Sequence, residues 1–262
     1  MLASQAWQEL GDGIFRRRYP SLDLNIGVVL GADAALVVDS RATPSQAREL
    51  RTELAQLTDL PVGWLFNTHY HWDHTFGNQC FIGAQLWGHE ECRRMLVDHG
   101  LQMLNERQAK ESPQGQDALE ELVITPPSET FRERAMIDLG NRTAEFVHFG
   151  RGHTNSDAVV HVDGVTFAGD LIEEGGPPGM GDSFPISWVE TVGQLANEAR
   201  PIVVPGHGDV VDVEYVVVTR FDLAWIALSA EAAWKAGQAP DQIDLKGAPY
   251  PAEVAAEAMS RA

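Results

Sequence analysis

The first third of the chain alternates between short hydrophobic runs and turn residues. Residues with strand propensity concentrate in three runs, at 13–18, 25–30 and 34–38. The tripeptide Gly31-Ala32-Asp33 separates the second run from the third and has the composition of a hairpin turn. We therefore expect short strands joined by turns in this region.

A helix and a buried strand are predicted next. Thr43 can cap a helix, Pro44 suits its first turn, and apolar residues recur from 47 to 57. The apolar run 62–66, directly after Pro61, fits a buried strand. The order of strand, helix and strand indicates a crossover unit on a sheet.

The rest of the chain again places strands before helices. Asp163-Gly164 is a strong hairpin signal, and the Gly- and Pro-rich segment 174–182 predicts a surface loop. The pattern predicts further strands at 143–149, 158–162, 165–168 and 202–204, and helices at 89–108, at 188–199 and from 213 to near the C-terminus. No shift in composition marks a linker. We therefore expect one α/β domain over residues 1–262, with a short helical C-terminal extension from about 213.

The charge balance restricts the possible partners. The net charge is -19, and the only basic run is Arg16-Arg17-Arg18. Such a surface repels phosphate backbones and anionic membranes, so nucleic acid and membrane are disfavoured and a small-molecule substrate is expected. No apolar run approaches the roughly 20 residues that cross a bilayer, and residues 1–18 lack a signal-peptide pattern. We expect a cytoplasmic protein in which both cysteines, Cys80 and Cys92, are reduced.

The strongest chemical signal is a cluster of four metal-competent residues within six positions. His69, His71, Asp73 and His74 directly follow the predicted strand 62–66. Ligand sites form at this edge of α/β sheets. A loop this tight cannot direct all four side chains to one tetrahedral ion. We expect His69 and His71 to reach one ion, and Asp73 and His74 a second, with zinc as a suitable metal.

Three later segments have the same arrangement of an apolar strand, small residues and then a possible ligand. They end in His153, Asp170 and His207. Glycines in each segment permit close approach of the backbone. Each segment alone is weak evidence, since a lone Asp at the end of a strand is more often a turn or cap residue. Together they fit one edge of one sheet system.

These motifs resemble the metallo-β-lactamase-fold hydrolases. The similarity rests on T-H-x-H-x-D-H from Thr68, G-H-T at 152–154, A-G-D at 168–170 and P-G-H-G at 205–208. It implies an αββα four-layer sandwich with the site at one edge. It also implies that His69, His71 and His153 hold a first metal, that Asp73, His74 and His207 hold a second, and that Asp170 bridges them. Asp39 matches an acidic residue that supports such sites, although a turn role at the end of its strand is about as well founded.

The expected chemistry is hydrolysis by two zinc ions, with iron or manganese as alternatives. The ions would share a water with a pKa near neutrality, and the resulting hydroxide would attack a carbonyl. Asp73 would orient this nucleophile and pass a proton to the leaving group. We expect a small ester, lactone, thioester or cyclic amide as the substrate. An iron-dependent oxidoreductase similar to persulfide dioxygenases, a weak β-lactamase and a non-enzymatic binding member remain as alternatives.

Departures from better-known relatives narrow the substrate. Asp170 stands where zinc β-lactamases usually have Cys or Ser, and Glu173 stands where some have the Lys that binds the substrate carboxylate. The tail from 213 holds few bases, which argues against the glutathione conjugates of glyoxalase II, and the His at 71 argues against flavin-coupled diiron reductases. The segment 16–24 matches a flexible flap of β-lactamases.

The remaining candidate residues have a structural and a functional interpretation. Phe184 and Trp188 can form an apolar wall of the substrate site or anchor the core. Arg151 can meet an anionic substrate or be a surface charge. The other histidines fall in helical or strand positions and are expected to be structural; they are His89, His99, His148 and His161.

Overall fold

The computed structural model describes residues 6–111, 119–239 and 242–262. Within them, the first half of the chain contributes seven strands: β1 Gln8–Gly11, β2 Ile14–Tyr19, β3 Leu24–Leu30, β4 Ala35–Val38, β5 Val62–Asn67, β6 Gln85–His89 and β7 Glu129–Phe131. The second half contributes β8 Arg134–Asp138, β9 Thr143–Val147, β10 Val159–Val162, β11 Val165–Glu173 and β12 Ile202–His207.

The helices lie between and after these strands. They are α1 Pro44–Leu57, α2 Trp72–Thr75, a 3-10 helix Asn78–Phe81, α3 Glu90–Lys110, and three later helices, Pro185–Glu198, Val213–Lys235 and Ala252–Arg261. The predicted cap of α1 is confirmed, because Thr43 Oγ1 accepts a hydrogen bond from the Gln46 backbone N–H. None of the helices among the described residues has the length and apolar character needed to span a bilayer.

The strands form two halves that meet at one position. The first half has the order β7-β6-β5-β4-β3, with β2 beside β3, and the second has β12-β11-β10-β9-β8. They are joined where Leu24 of β3 pairs with His207 of β12. The strand β5 runs parallel to β4, and β12 runs parallel to β11, so each half contains a crossover connection. The junction brings the end of β12 next to the start of β3.

The two halves pack face to face with helices outside. Phe66 of the first half and Phe146 of the second have ring centroids 4.2 Å apart in one apolar cluster. Leu50 of α1 packs on the outer face of the first half, and the later helices cover the second half through residues such as Trp188 and Leu223. The order is helix, sheet, sheet, helix. The predicted αββα sandwich is therefore confirmed.

Several predicted boundaries are wrong. The helix predicted from 213 onward stops at Lys235, because Gly237 takes a left-handed φ of 68° that ends it. A second helix begins only at Ala252, after Pro249 and Pro251. Strand β11 continues to Glu173, five residues beyond its predicted end. The hydrophobic pattern also failed to indicate four short strands: β1, β6, β7 and β8.

Candidate metal centre

All seven predicted ligand residues lie at one edge of the fold. His69 and His71 follow β5, Asp73 and His74 lie in the single turn of α2, and His153 lies in the loop after β9. Asp170 lies within β11, and His207 ends β12. Their ligand atoms form two groups: His69, His71, His153 and Asp170 in the first ligand set, and Asp73, His74 and His207 in the second ligand set.

Buried hydrogen bonds fix the backbone around α2. The Ser40 N–H donates to the His74 carbonyl at 2.9 Å. Asn67 Nδ2 donates to the same carbonyl at 3.3 Å and to Asn78 Oδ1 at 3.0 Å. Thr75 Oγ1 donates to the His71 carbonyl at 2.9 Å. These bonds hold the loop in a shape that directs His69 and His71 to the first ligand set and Asp73 and His74 to the second.

The first ligand set has its donor atoms at close range. His71 Nδ1 lies 2.9 Å from His153 Nε2. Asp170 Oδ2 lies 3.4 Å from His153 Nε2 and 3.6 Å from His69 Nε2. Three imidazole nitrogens and one carboxylate oxygen thus surround a common point.

The second ligand set is equally compact. His207 Nε2 lies 3.4 Å from both His74 Nε2 and Asp73 Oδ2. His74 Nε2 lies 3.7 Å from Asp73 Oδ2. Asp170 reaches this set as well, because its Oδ1 lies 3.3 Å from His74 Nε2 and its Oδ2 lies 3.3 Å from His207 Nε2. One carboxylate therefore lies between the two sets.

The spacing and chemistry of these atoms fit divalent metal ions. Ligands bound at 2.0–2.1 Å to a tetrahedral ion lie roughly 3.3–3.4 Å from one another, which is close to most of the distances above. His69 Nε2 and Asp170 Oδ1 are buried and form no hydrogen bond with any part of the chain that the structure describes. A buried polar atom without a partner is costly, and a cation would satisfy both atoms. Nitrogen and oxygen donors of this kind suit zinc.

Asp39 supports the second ligand set from behind, as the resemblance implied. Its Oδ2 accepts from His74 Nδ1 at 2.8 Å, and its Oδ1 accepts from the Thr68 backbone N–H at 2.8 Å. The His74 ring is thereby held with Nε2 facing the site. Asp39 has a φ of 65°, a left-handed conformation that Asp tolerates better than most residues.

The β2–β3 turn positions His207, a role that sequence reasoning missed. The Leu22 carbonyl accepts from His207 Nδ1 at 2.7 Å, and the Asp23 carbonyl accepts from the Gly208 N–H at 3.0 Å. Arg16 Nη1 donates to the Gly208 carbonyl at 3.2 Å. The segment expected to be a flap is built from strand residues and this short turn. A backbone acceptor has no sequence signal, so this contact could not be predicted.

The loop after β11 positions two imidazoles of the first ligand set, His71 and His153. His71 Nε2 lies 3.0 Å from Asp182 Oδ2, and His153 Nδ1 lies 3.1 Å from the Gly179 carbonyl. This loop was predicted to lie on the surface over residues 174–182, but Pro178 and Met180 within that range are buried. The loop packs against the site, and the prediction of a surface loop is wrong for these residues.

Glycine is required where β12 passes Asp170. A Cβ atom at Gly206 would lie 1.8 Å from Asp170 Oδ1, well inside contact distance. Gly169 has a φ of 54°, and its Cβ would lie 2.6 Å from Thr68 Cβ. The small residues of the A-G-D and P-G-H-G motifs thus allow the strands to approach closely enough for the ligand atoms to meet.

The electrostatics of the second ligand set favour positive charge. Burial lowers the pKa of His74, but the carboxylates of Asp170, Asp73 and Asp39 outweigh it and raise that pKa well above its ordinary value. Burial also lowers the pKa of His207, but the charge of Asp170 outweighs it and raises that pKa to about 9. The carboxylates therefore stabilise a cation at the second ligand set, whereas burial lowers the pKa of His69 and His153 in the first and keeps these imidazoles neutral.

Burial and contacts show what surrounds the other candidate residues, which are Phe184, Trp188, Arg151 and the four histidines outside the ligand sets. Trp188 is 0% exposed and its Nε1 donates to the Leu171 carbonyl at 3.3 Å, so it anchors the core and is not an exposed wall. The Arg151 guanidinium lies over the Phe184 ring, 4.6 Å from its centroid. None of the four other histidines is in either ligand set; His89 stacks on His148, His161 bonds Thr166, and His99 is exposed.

Comparisons with known proteins identify the family of the chain. The sequence profile Lactamase_B, described as the metallo-beta-lactamase superfamily, matches residues 22–207. A search of curated protein sequences finds no significant match.

Several solved structures share the fold. One is a metallo-beta-lactamase from Pontibacter korlensis, with 18% identity, a TM-score of 0.67, and coverage of 84% of this chain and 99% of that chain. Another is the inverting sec-alkylsulfatase Pisa1 from Pseudomonas sp., with 12% identity, a TM-score of 0.77, and coverage of 98% of this chain and 49% of that chain. These two relatives are hydrolases. Because the family profile spans most of the chain, the protein belongs to the metallo-beta-lactamase superfamily, with a His and Asp cluster suited to metal ions.

Proposed function

We propose that the protein is a two-zinc hydrolase that cleaves a small, uncharged ester, lactone, thioester or cyclic amide. The observation that carries this proposal is the position of Asp170. Its two oxygens lie within 3.3–3.6 Å of histidine nitrogens from both ligand sets. A carboxylate in this position can be shared by two ions, so both sets can act on the same substrate.

The open side of the centre indicates where the substrate approaches. The His71, Asp73 and His207 side chains are 20%, 12% and 16% exposed. His69 and His74 are at most 1% exposed. Solvent and substrate therefore reach the site across His71, Asp73 and His207, while the buried ligands form its floor.

The chain's own residues have separate roles in hydrolysis. When bound, the metal ions would supply Lewis acidity that activates water and stabilises developing negative charge. Asp73, on the open side and 3.4 Å from His207 through Oδ2, can orient the attacking water. Its carboxylate can then carry a proton from that water to the leaving group. No serine or cysteine nucleophile is required.

The charges near the site favour an uncharged substrate. Glu173 Oε1 lies 3.8 Å from His153 Nδ1, at the position where some relatives have a lysine. Burial, followed by the negative charge of Asp170, raises the pKa of Glu173 to about 8. Whether protonated or ionised, Glu173 gives an anionic group no counter-charge. Arg18 of β2 is already paired with Asp23 and Asp209.

Substrate charge can be tested with two esters that share one leaving group. We expect a neutral acetyl ester of a phenol to be hydrolysed with a kcat/KM at least about tenfold above that of the hemisuccinate ester, because Glu173 offers the succinyl carboxylate no counter-charge and the protein carries a net charge of -19. Glu173→Lys should narrow or reverse this preference. Faster hydrolysis of the anionic ester by the unsubstituted protein would contradict the charge argument.

The reaction class is tested by elemental analysis together with a substrate panel. We expect about two zinc ions per chain, turnover of lactones, thioesters or esters, and loss of turnover on chelation with recovery after zinc is returned. Turnover by a metal-free preparation would refute the proposal. Iron content with oxygen consumption and no hydrolysis would instead assign the protein to the oxidoreductases of this fold.

A further inference from the structure

Each of the five histidines of the centre has an acceptor or partner for its outward-facing nitrogen. Four of them direct Nε2 toward the ligand sets and pair through Nδ1. The partners are Thr68 Oγ1 for His69, Asp39 for His74, the Gly179 carbonyl for His153 and the Leu22 carbonyl for His207. His71 is reversed: Nδ1 faces His153, and Nε2 faces Asp182.

We propose that Asp182 is a positioning residue for the first ligand set. It fixes His71 in the orientation and tautomer that present Nδ1 to the metal. Both carboxylate oxygens lie near His71 Nε2, at 3.0 and 3.2 Å. A carboxylate that accepts the outer N–H of a ligand histidine also makes its other nitrogen more basic. This inference rests on the proposed metal-dependent function.

A second contact orients the carboxylate itself. The Tyr70 hydroxyl donates to Asp182 Oδ2. Tyr70 is 5% exposed and packs with Cys92 and Leu96 of α3, so its hydroxyl is held in place by the core. Tyr70, Asp182 and His71 therefore form a relay from a fixed hydroxyl to a ligand nitrogen. Asp182, the charged acceptor between Tyr70 and His71, comes from the loop after β11.

The loop that carries Asp182 is held at more than one point. Glu173 Oε1 accepts from the Gly179 N–H at 2.8 Å, and the Gly179 carbonyl receives His153. Ser183 Oγ donates to the Met180 carbonyl at 2.9 Å. The same loop thus meets the imidazole rings of two histidines of the first ligand set, whereas its contact with His207 is to the backbone, where the Glu174 N–H donates to the His207 carbonyl at 2.9 Å. Loss of Asp182 should therefore weaken the first set selectively.

The test compares zinc binding by Asp182→Ala, Asp182→Asn and a matched control, Asp98→Asn, which removes a surface carboxylate of α3. Affinities are measured by competition with a chromophoric chelator. They are also measured in a His207→Ala background, which keeps the first ligand set intact. We expect Asp182→Ala to weaken the first site by about 10–100-fold in both backgrounds, with Asp182→Asn intermediate and Asp98→Asn unchanged.

The thermal melting of the metal-free proteins separates positioning from a purely structural role. We expect the metal-free Asp182→Asn protein to melt within a few degrees of the unsubstituted one. Equal zinc affinity in Asp182→Ala, or a parallel weakening of both sites with a lowered metal-free melting temperature, would overturn the role of Asp182. If the unsubstituted protein bound no zinc, the proposed function itself would fail.

Discussion

His74 Nδ1 lies 2.8 Å from Asp39 Oδ2, and both side chains are almost completely buried. The pair joins the end of β4 to the single turn of α2 and leaves His74 Nε2 free to face the second ligand set. Because Asp39 also receives the Thr68 N–H, one carboxylate orients the backbone before the ligand loop and a ligand within it.

The first prediction concerns this pair. Asp39→Asn keeps a residue that tolerates the left-handed backbone but removes the charge and one acceptor. We expect zinc affinity at the second site to fall about 10–100-fold, with a smaller change at the first site, measured by chelator competition. An unchanged affinity at the second site would show that Asp39 has only a turn role.

The second prediction concerns the close approach at Gly206. Gly206→Ala would place Cβ 1.8 Å from Asp170 Oδ1, so β12 or Asp170 must move. We expect loss of the shared carboxylate position, binding of fewer than two zinc ions per chain, and at least a hundredfold lower kcat/KM, because small misplacements at a reacting centre cost about that much. Gly164→Ala is the matched control, since no atom lies within 4 Å of its Cβ. Full zinc binding by Gly206→Ala would contradict this account.

The third prediction concerns stability at low pH and uses His161, outside the metal centre. His161 Nδ1 bonds Thr166 Oγ1 at 2.8 Å, whereas Nε2 is buried without a hydrogen bond in the described structure. Burial lowers the pKa of His161 to about 4. Because an unfolded histidine has a pKa of about 6.5, the unfolded chain binds the extra proton between these values. The free energy of unfolding should therefore decrease as pH falls from about 6.5 to 4.

His161→Gln removes this titration. Between pH 7.5 and pH 5, the unsubstituted metal-free protein should lose about 2 kcal/mol more than the variant in urea unfolding. His89 and His148 titrate in both proteins and cancel in the comparison. An equal loss in the two proteins would show that His161 is not kept neutral by burial.

The sequence was sufficient to predict the inner part of the candidate site. Most of the ligand residues lie at or just after a strand end, and the carboxyl ends of β5 and β12 lie at the edge where the site forms, so hydrophobic pattern and residue type together indicate that they come close. Asp170 differs, because it lies within β11. The pattern is a local property of each segment. It therefore predicted β5 well and the first half of β12, which was expected at 202–204 and runs to His207, but gave no signal for the short edge strands β7 and β8, whose residues are largely exposed.

The outer part of the site depends on tertiary contacts that no local pattern carries. Tyr70 and Asp182 are more than a hundred residues apart, and the Leu22 and Gly179 contacts use backbone carbonyls. For Trp188, the sequence suggested a role in the site that the structure does not support. Its sequence position suits a site wall, but only the packing of its helix against β11 shows that it belongs to the core.

The most direct test of the central claim is the anomalous diffraction of crystals grown with zinc. Two zinc peaks are expected in each chain. One should lie about 2.0–2.2 Å from His69 Nε2, His71 Nδ1 and His153 Nε2, and the other at the same range from Asp73, His74 and His207. Peaks elsewhere on the surface, or a His153 or His207 ring turned away from both peaks, would contradict the account.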